Sequence, residues 1–600
     1  MCVLQDIENA QNLVELFLKR ADAMGDAPFL GFKHDGAWQT ISWAEVARRV
    51  CLMAENLRAI GLRDGDRVVI VSENRPEWCI SDLAIMAAGC ITTPAYTTNT
   101  ERDHSHILDD SGASAVIVSN AKLAKPLFAA IMATGKVSHV VVMEGVSTAQ
   151  SGSFDLYGWD AMMAGDTAAA RAAVEARIAN IKRPDTACII YTSGTSGAPR
   201  GVMQPHAAIL CNVEGAAEIL TEDFGIKDER FLSFLPLSHA YEHSGGQFLP
   251  IGVGAEIYYS EGLEKLASNI EETRPTIMVV VPRLFEVLRT RIMKQIEKEG
   301  KIANYLMSRA LAITAHESEH GSKRLIDRPM DLILEKTLRP KIRAKFGGRM
   351  KAMVSGGAPL NPEVGNFFEA MGLTMLQGYG QTESGPVLSC NRPKVGLKMD
   401  TVGPPMRGVE VKIAEDGEIL VRGELVMTGY WQRPEDTERT LAGGWLHTGD
   451  VGHLDEKGRI KITDRKKDII VNDKGDNVAP QKLEGMLTLQ PEISQAMIVG
   501  DKKPYMVALI VPDAEWALGW ARENDIPFDL KALQDLPAFR SAIKAAIERT
   551  NGDLSVIEKV RKFEFADEPF SVDNDQMTPT MKIRRSFIKE AYGERLEALY

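Results

Sequence analysis

Three short strings hold residue types that could handle a phosphate-bearing ligand. The first, Tyr191-Thr192-Ser193-Gly194-Thr195-Ser196-Gly197-Ala198-Pro199-Arg200-Gly201-Val202, packs three glycines, four hydroxyls before the proline and one cation into a single stretch. Glycines let backbone N–H groups close around an anion, and hydroxyls add donors. A cation completes a cradle for a polyphosphate. The spacing is not the GxxxxGK[ST] of P-loop proteins. Taken alone, such a Gly/Ser/Thr cluster reads equally well as a surface linker. The second string, Leu376-Gln377-Gly378-Tyr379-Gly380-Gln381-Thr382-Glu383-Ser384-Gly385, offers a ring to stack on a flat base, a hydroxyl, and in Glu383 a hard carboxylate oxygen suited to Mg²⁺. The third, Met577-Thr578-Pro579-Thr580-Met581-Lys582-Ile583-Arg584-Arg585, carries a lysine that in isolation is an ordinary solvated side chain.

These strings need elements to position them. Ala187-Cys188-Ile189-Ile190 reads as a buried strand leading into the glycine-hydroxyl loop. Further apolar runs at 66–71, 115–118, 140–143 and 276–281 read as strands alternating with helices, which predicts a largely parallel α/β sheet. Residues 10–60 read as mainly helical, 144–183 as a surface crossover with an Ala-rich helix over 161–179, and 284–298, 304–319 and 332–346 as amphipathic helices. The Gly-rich short strands of 402–450 suggest a small β-barrel. The last ~130 residues look like a small α+β domain. Between two apolar strands, the charged run Asp464-Arg465-Lys466-Lys467-Asp468 suits a hinge.

Composition bounds the class. The 600 residues are 44% hydrophobic and 25% charged, with a formal net charge of −12, which argues against a nucleic-acid-coating protein. Seven scattered cysteines without CxxC spacing read as reduced, mostly buried thiols of a cytoplasmic protein. No apolar run approaches the ~18–20 residues of a membrane span. Met1–Glu8 lacks a basic segment and carries Asp6 and Glu8, which argues against a signal peptide.

The first string closely resembles the phosphate loop of the adenylate-forming superfamily, YTSGTTGxPKGV, with Ser196 for Thr and Arg200 for Lys. Arg is a planar fork rather than a point charge, so the second change is not strictly conservative. Other strings match the same family in its order. Leu235-Pro236-Leu237-Ser238-His239 resembles its LPLxH element, whose histidine borders the acyl site. Gly356-Gly357-Ala358 resembles the turn that walls the adenine pocket, and Tyr379-Gly380-Gln381-Thr382-Glu383 its YGxTE segment. Thr448-Gly449-Asp450 resembles the TGD string whose aspartate takes the ribose hydroxyls. Arg465 matches an arginine reaching the nucleotide, Lys467 the pivot, and Gly475 a loop facing the thiol tunnel. Met577–Arg585 resembles the LTPTxKxxR string of long-chain acyl-CoA synthetases, whose lysine is catalytic.

The resemblance implies a large domain over 1–463, a hinge at 464–468 and a mobile small domain over 469–600. It implies ATP, Mg²⁺ and coenzyme A as cofactors, with Lys582, Thr382, Glu383, His239 and Arg465 as catalytic residues. Nucleotide and thiol contacts are expected from Thr192, Ser193, Gly194, Thr195, Ser196, Gly197, Arg200, Gly356, Gly357, Ala358, Gln377, Gly378, Tyr379, Gly380, Asp450, Arg465, Lys467 and Gly475, and metal contacts from Glu383 and Thr195. The implied reaction joins a carboxylate to the α-phosphate of ATP, then passes the acyl group from AMP to the thiol. The helical insertion and the third string favour a long fatty acid. The basic helices of the insertion could touch a membrane surface, although no long hydrophobic face is visible in the sequence. His243 lies near a position that holds a bulky gate residue in some relatives; a surface histidine is the other reading. Ligation of medium-chain or aryl acids, or delivery to a carrier protein, is the alternative chemistry. A non-catalytic binder retaining the fold is a second class, opposed by Glu383, Asp450, Arg465 and Lys582 together. Oligomeric state is open, a homodimer included.

Overall fold

Val68-Val69-Ile70-Val71 and Ala115-Val116-Ile117-Val118 have no polar alternation, the pattern of strands covered on both faces. In the computed structural model, which describes residues 2–145, 154–192, 198–578 and 582–600, both are central strands. They belong to an eight-stranded sheet ordered Gly429–Tyr430, Arg200–Pro205, Thr186–Thr192, Ile91–Ala95, Arg67–Val71, Ala115–Val118, His139–Val142, Asp155–Gly158. Pairing is parallel except at the first three strands, where Thr186–Thr192 and Arg200–Pro205 form a hairpin. A second eight-stranded sheet runs Val387–Cys390, Met375–Gly380, Ala352–Ser355, Ile277–Val280, Arg230–Ser233, Glu256–Tyr259, Pro28–His34, Ala37–Ser42. The glycine-hydroxyl loop leaves the first sheet, and the YGQTE turn leaves the second.

Four expectations change. Residues 10–60 are not mainly helical: Pro28–His34 and Ala37–Ser42 form a hairpin. Its turn is Asp35-Gly36, both at positive φ (49° and 76°), the Asp-Gly signal of a tight hairpin. The 144–183 crossover contributes an edge strand, Asp155–Gly158, and its helix splits into Trp159–Met162 and Thr167–Ile178, the second capped by Asp166. The helix over 332–346 breaks at Thr337 (φ −123°, ψ −71°) into Arg328–Lys336 and Leu338–Lys345. The region read as a barrel is an open four-stranded antiparallel sheet, Glu410–Ile413, Glu418–Arg422, Leu446–Leu454, Ile460–Arg465. Short strands and glycine turns announce β structure, but closure depends on the outer strands pairing, and here they do not.

The chain beyond residue 469 has cores of its own. A three-stranded sheet, Ile493–Val499, Met506–Pro512 and Val560–Phe565, is covered on one face around Phe539 and Ile543 and on the other by Ile588, Tyr592 and Leu596 of the helix Arg585–Glu597. The charged run 464–468 begins as strand, since Arg465 still pairs opposite Asp450.

Candidate active site

Thr192 and Arg200 stand opposite each other in the hairpin and close the base of the glycine-hydroxyl loop. The expected contacts Ser193, Gly194, Thr195, Ser196 and Gly197 lie outside the described residues. Both flanks are gripped by one helix, Glu101–Ser111. Asp110 Oδ2 accepts from the Tyr191 hydroxyl at 2.8 Å, and His106 Nε2 donates to the Pro199 carbonyl at 2.8 Å. Arg433 completes the anchor at 2.7 Å from Asp110 Oδ1.

The strand Met375–Gly380 carries Gln377, Gly378, Tyr379 and Gly380 to a 3₁₀ turn, Thr382–Ser384. Gly380 is a close-approach glycine: a Cβ there would lie 1.8 Å from the Pro386 carbonyl oxygen. The turn is tied to the first sheet, because Gln204 Nε2 donates to the Thr382 carbonyl at 2.7 Å. The Tyr430 hydroxyl donates to Glu383 Oε1 at 2.7 Å.

Gly356 ends the neighbouring strand, and a Cβ there would meet the Tyr241 ring at 2.7 Å. The Tyr241 hydroxyl donates to the Val354 carbonyl at 2.9 Å, which sets that ring beneath the Gly356-Gly357-Ala358 turn. His239 caps the short helix Ala240–Glu242, its Nδ1 accepting from the Tyr241 backbone N–H at 3.2 Å. Its remaining proton therefore sits on Nε2. Burial, with the nearby charge of Lys582, pushes His239 down to about 3, so the ring is neutral.

Asp450 and Arg465 face each other across two antiparallel strands. Arg465 Nε lies 3.2 Å from Asp450 Oδ1, and the Tyr379 hydroxyl donates to Asp450 Oδ2 at 2.7 Å. Burial raises Asp450 while Arg465, Tyr379 and Lys582 pull it back. Lys582 comes from the other body, on a hairpin closed by reciprocal bonds with Thr578 at 2.8 and 3.0 Å. Burial and the Arg465 charge lower Lys582 to about 8, against the opposing pull of Asp450 and Glu383. The structure thus brings Arg465, Asp450, Glu383 and His239 each within electrostatic reach of Lys582, and pairs Arg465 with Asp450. Lys467 and Gly475 lie exposed, Gly475 in the turn between Ile470–Val471 and Asn477–Val478, with no hydrogen bond or ion pair to this cluster among the described residues. His243 is not a surface histidine. It is fully buried, 2.8 Å from Asp82 Oδ2, between the Trp78 and Phe248 rings.

Among the described residues, no three His, Cys, Asp or Glu side chains converge on a metal position. The single carboxylate of Glu383 nevertheless fits Mg²⁺, which keeps waters and takes other oxygens from bound phosphates. Sequence reading missed Tyr430, His106 and Asp110. No local pattern marks them, because each acts on a partner remote in the chain, 47, 81 and 93 positions away for Tyr430–Glu383, Asp110–Tyr191 and His106–Pro199.

Comparison with known proteins bears on this arrangement. The model of the AMP-binding enzyme family matches residues 17–431, and that of the AMP-binding enzyme C-terminal domain matches 467–600. The chain belongs to the AMP-binding enzyme family. A long-chain-fatty-acid–CoA ligase, FadD15, of Mycobacterium bovis is 34% identical over 94% of this chain and 93% of its own. Long chain acyl-CoA synthetase 1 of Arabidopsis thaliana is 30% identical over 98% of this chain and 92% of its own. Among solved structures, the adenylation domain of a carboxylate reductase from Mycobacterium chelonae superposes with a TM-score of 0.75 at 23% identity, covering 100% of this chain and 93% of its own. That likeness shows a shared fold.

Proposed function

We infer that this AMP-binding enzyme is an AMP-forming long-chain fatty acid–CoA ligase. The observation carrying the reading is the position of Lys582, near the end of the chain, where its charge acts with those of Asp450, Arg465 and Glu383 and reaches His239. A carboxylate will not react with a thiol because oxide is a hopeless leaving group. Attack of a carboxylate oxygen on the α-phosphorus of ATP, with departure of pyrophosphate, converts it to an acyl-adenylate. The sulfur of coenzyme A then attacks the acyl carbon, the thiol proton is lost, and AMP leaves.

The residues suit alignment and charge stabilisation, which is what phosphoryl chemistry asks of a protein. Asp450 accepts the ribose hydroxyls. Tyr379 and the Gly356-Gly357-Ala358 turn flank adenine, with Gln377, Gly378 and Gly380 at the same edge. Thr192 through Gly197 surround the outgoing phosphates, with Arg200 at the base of their loop. Lys582 and Arg465 hold the α-phosphate and the attacking carboxylate, and neutral His239 offers its Nε2–H to the acyl oxygen. Glu383, with Thr195, would hold Mg²⁺, which neutralises phosphate charge when bound, and Thr382 offers its hydroxyl to a phosphate. We place the division at 1–463 and 469–600, with 464–468 as the hinge. Rotation about Lys467 then withdraws Lys582 and brings Gly475 to the thiol path, a gating step. The test is a chain-length panel of acids assayed for pyrophosphate and acyl-CoA. Adenylation of aryl or short acids alone, or product only with a carrier protein, overturns the long-chain reading.

Membrane contact also belongs to this reading. No described helix is long and apolar enough to cross a membrane. Around the helix Arg328–Lys336, however, Leu325, Ile326, Leu332 and Ile333 are exposed (72%, 82%, 64% and 46%) beside exposed Arg324, Arg328 and Lys336. The acids of this segment turn to Arg309, Arg339 and Arg343 instead. An apolar stripe rimmed by cations suits an anionic bilayer. Co-sedimentation with phosphatidylglycerol vesicles, lost in Leu325→Ser/Ile326→Ser, is the expected result; equal recovery of the two proteins refutes it.

A further inference from the structure

Tyr430 connects two residues that the sequence singles out separately. Its strand pairs with Arg200–Pro205, which sets Tyr430 opposite Val202. The side chain is 4% exposed. Its hydroxyl donates to Glu383 Oε1 at 2.7 Å. The Arg200 guanidinium lies over its ring, 4.2 Å from the centroid, with Nη2 3.4 Å from the phenol oxygen and Nη1 3.4 Å from Asp436 Oδ2. The backbone supports the same contact, since the Met427 N–H donates to the Glu383 carbonyl at 2.9 Å. Among the described residues, Glu383 Oε2 has no hydrogen bond or ion pair.

We propose that Tyr430 is a positioning residue that fixes the Glu383 carboxylate with Oε1 engaged and Oε2 presented, and that Arg200 acts through the Tyr430 ring. A hydrogen bond to a carboxylate is charge-assisted and directional, so it holds the group in one rotamer. A planar guanidinium stacks on the ring, whereas an ammonium sits as a point charge. The cation over the ring also draws electron density from the phenol and makes it a better donor. This arrangement gives a physical reason for Arg rather than Lys at position 200. It rests on the reading of Glu383 as the Mg²⁺ ligand.

The experiment uses the full chain with α,β-methylene-ATP, which cannot release pyrophosphate. Mn²⁺ binding is followed by electron paramagnetic resonance, and the two half-reactions are assayed separately. Tyr430→Phe removes only the hydroxyl. Its Mn²⁺ affinity falls about tenfold, the scale of one lost hydrogen bond to a charged group. The Mg²⁺ midpoint of pyrophosphate release rises in parallel, while thioester formation from supplied acyl-adenylate does not move. Wild-type Mn²⁺ affinity in Tyr430→Phe, or equal loss in both half-reactions, overturns the proposal. Should Tyr430→Phe fail to fold, Arg200→Leu keeps the phenol and removes its stacking cation; weakened Mn²⁺ binding supports the proposal and unchanged binding overturns it. Glu383→Gln separates the two layers. If it binds Mn²⁺ like the wild type, the reading of Glu383 fails; if it binds weakly and Tyr430→Phe does not, only the role of Tyr430 fails.

Discussion

Replacing Lys582 with alanine should divide the reaction in two. The side chain is held at the meeting of the two bodies, where burial and Arg465 lower it to about 8, so at pH 7 it is still mainly cationic. Two unit charges 4 Å apart interact by about 4 kcal/mol at an effective dielectric near 20. Removing one preorganised donor from a developing oxyanion costs about 10²–10³ in rate, or about 3–4 kcal/mol. Both routes give the same scale, so pyrophosphate release from ATP and a long-chain acid should fall by at least about a hundredfold. The second half-reaction should survive if the proposed swing about 464–468 carries Lys582 away before the thiol attacks. The assay is stopped-flow pyrophosphate release, beside thioester formation from synthetic acyl-adenylate and coenzyme A. Equal loss in both halves refutes the swing, and unaltered pyrophosphate release refutes the role of Lys582.

Three further outcomes follow from the same geometry. Lys582 is cationic below about 8 and neutral above it, so kcat/KM for pyrophosphate release should drop as pH rises through that value, and Lys582→Arg should abolish the drop in whatever activity remains. His106→Ala removes the donor to the Pro199 carbonyl; losing about 1 kcal/mol should raise KM for ATP about fivefold and leave KM for the acid unmoved. Gly380→Ala forces a Cβ to 1.8 Å from the Pro386 carbonyl oxygen. Overpacking costs about 1–3 kcal/mol, visible as a lower thermal midpoint, and an unchanged midpoint contradicts the close approach.

What was legible in the sequence was what short strings encode. The glycine-hydroxyl loop, the YGQTE turn, Asp450 and Lys582 each announce themselves through residue type and spacing, and the strands that deliver them are continuous apolar runs. What stayed hidden depends on partners remote in the chain. Tyr430 and Glu383 are 47 positions apart, and Tyr191 and Asp110 are 81 apart. No local pattern marks a tyrosine as the donor to a distant carboxylate. His243 was opaque for the same reason, because its burial is set by Asp82, 161 positions away. The Pro28–Ser42 hairpin is marked only by Asp35-Gly36, because its strands lack a clean inside-outside alternation and stand between two strongly periodic helices.

Lys582 follows all the other named residues of the cluster in chain order, and it rides on a body whose cores are separate from theirs. A ribosome therefore completes the other residues of the proposed nucleotide site, through Arg465, before it adds Lys582. With Lys582 in its proposed role, a chain lacking its last residues would form acyl-adenylate at least about a hundredfold more slowly than the finished protein.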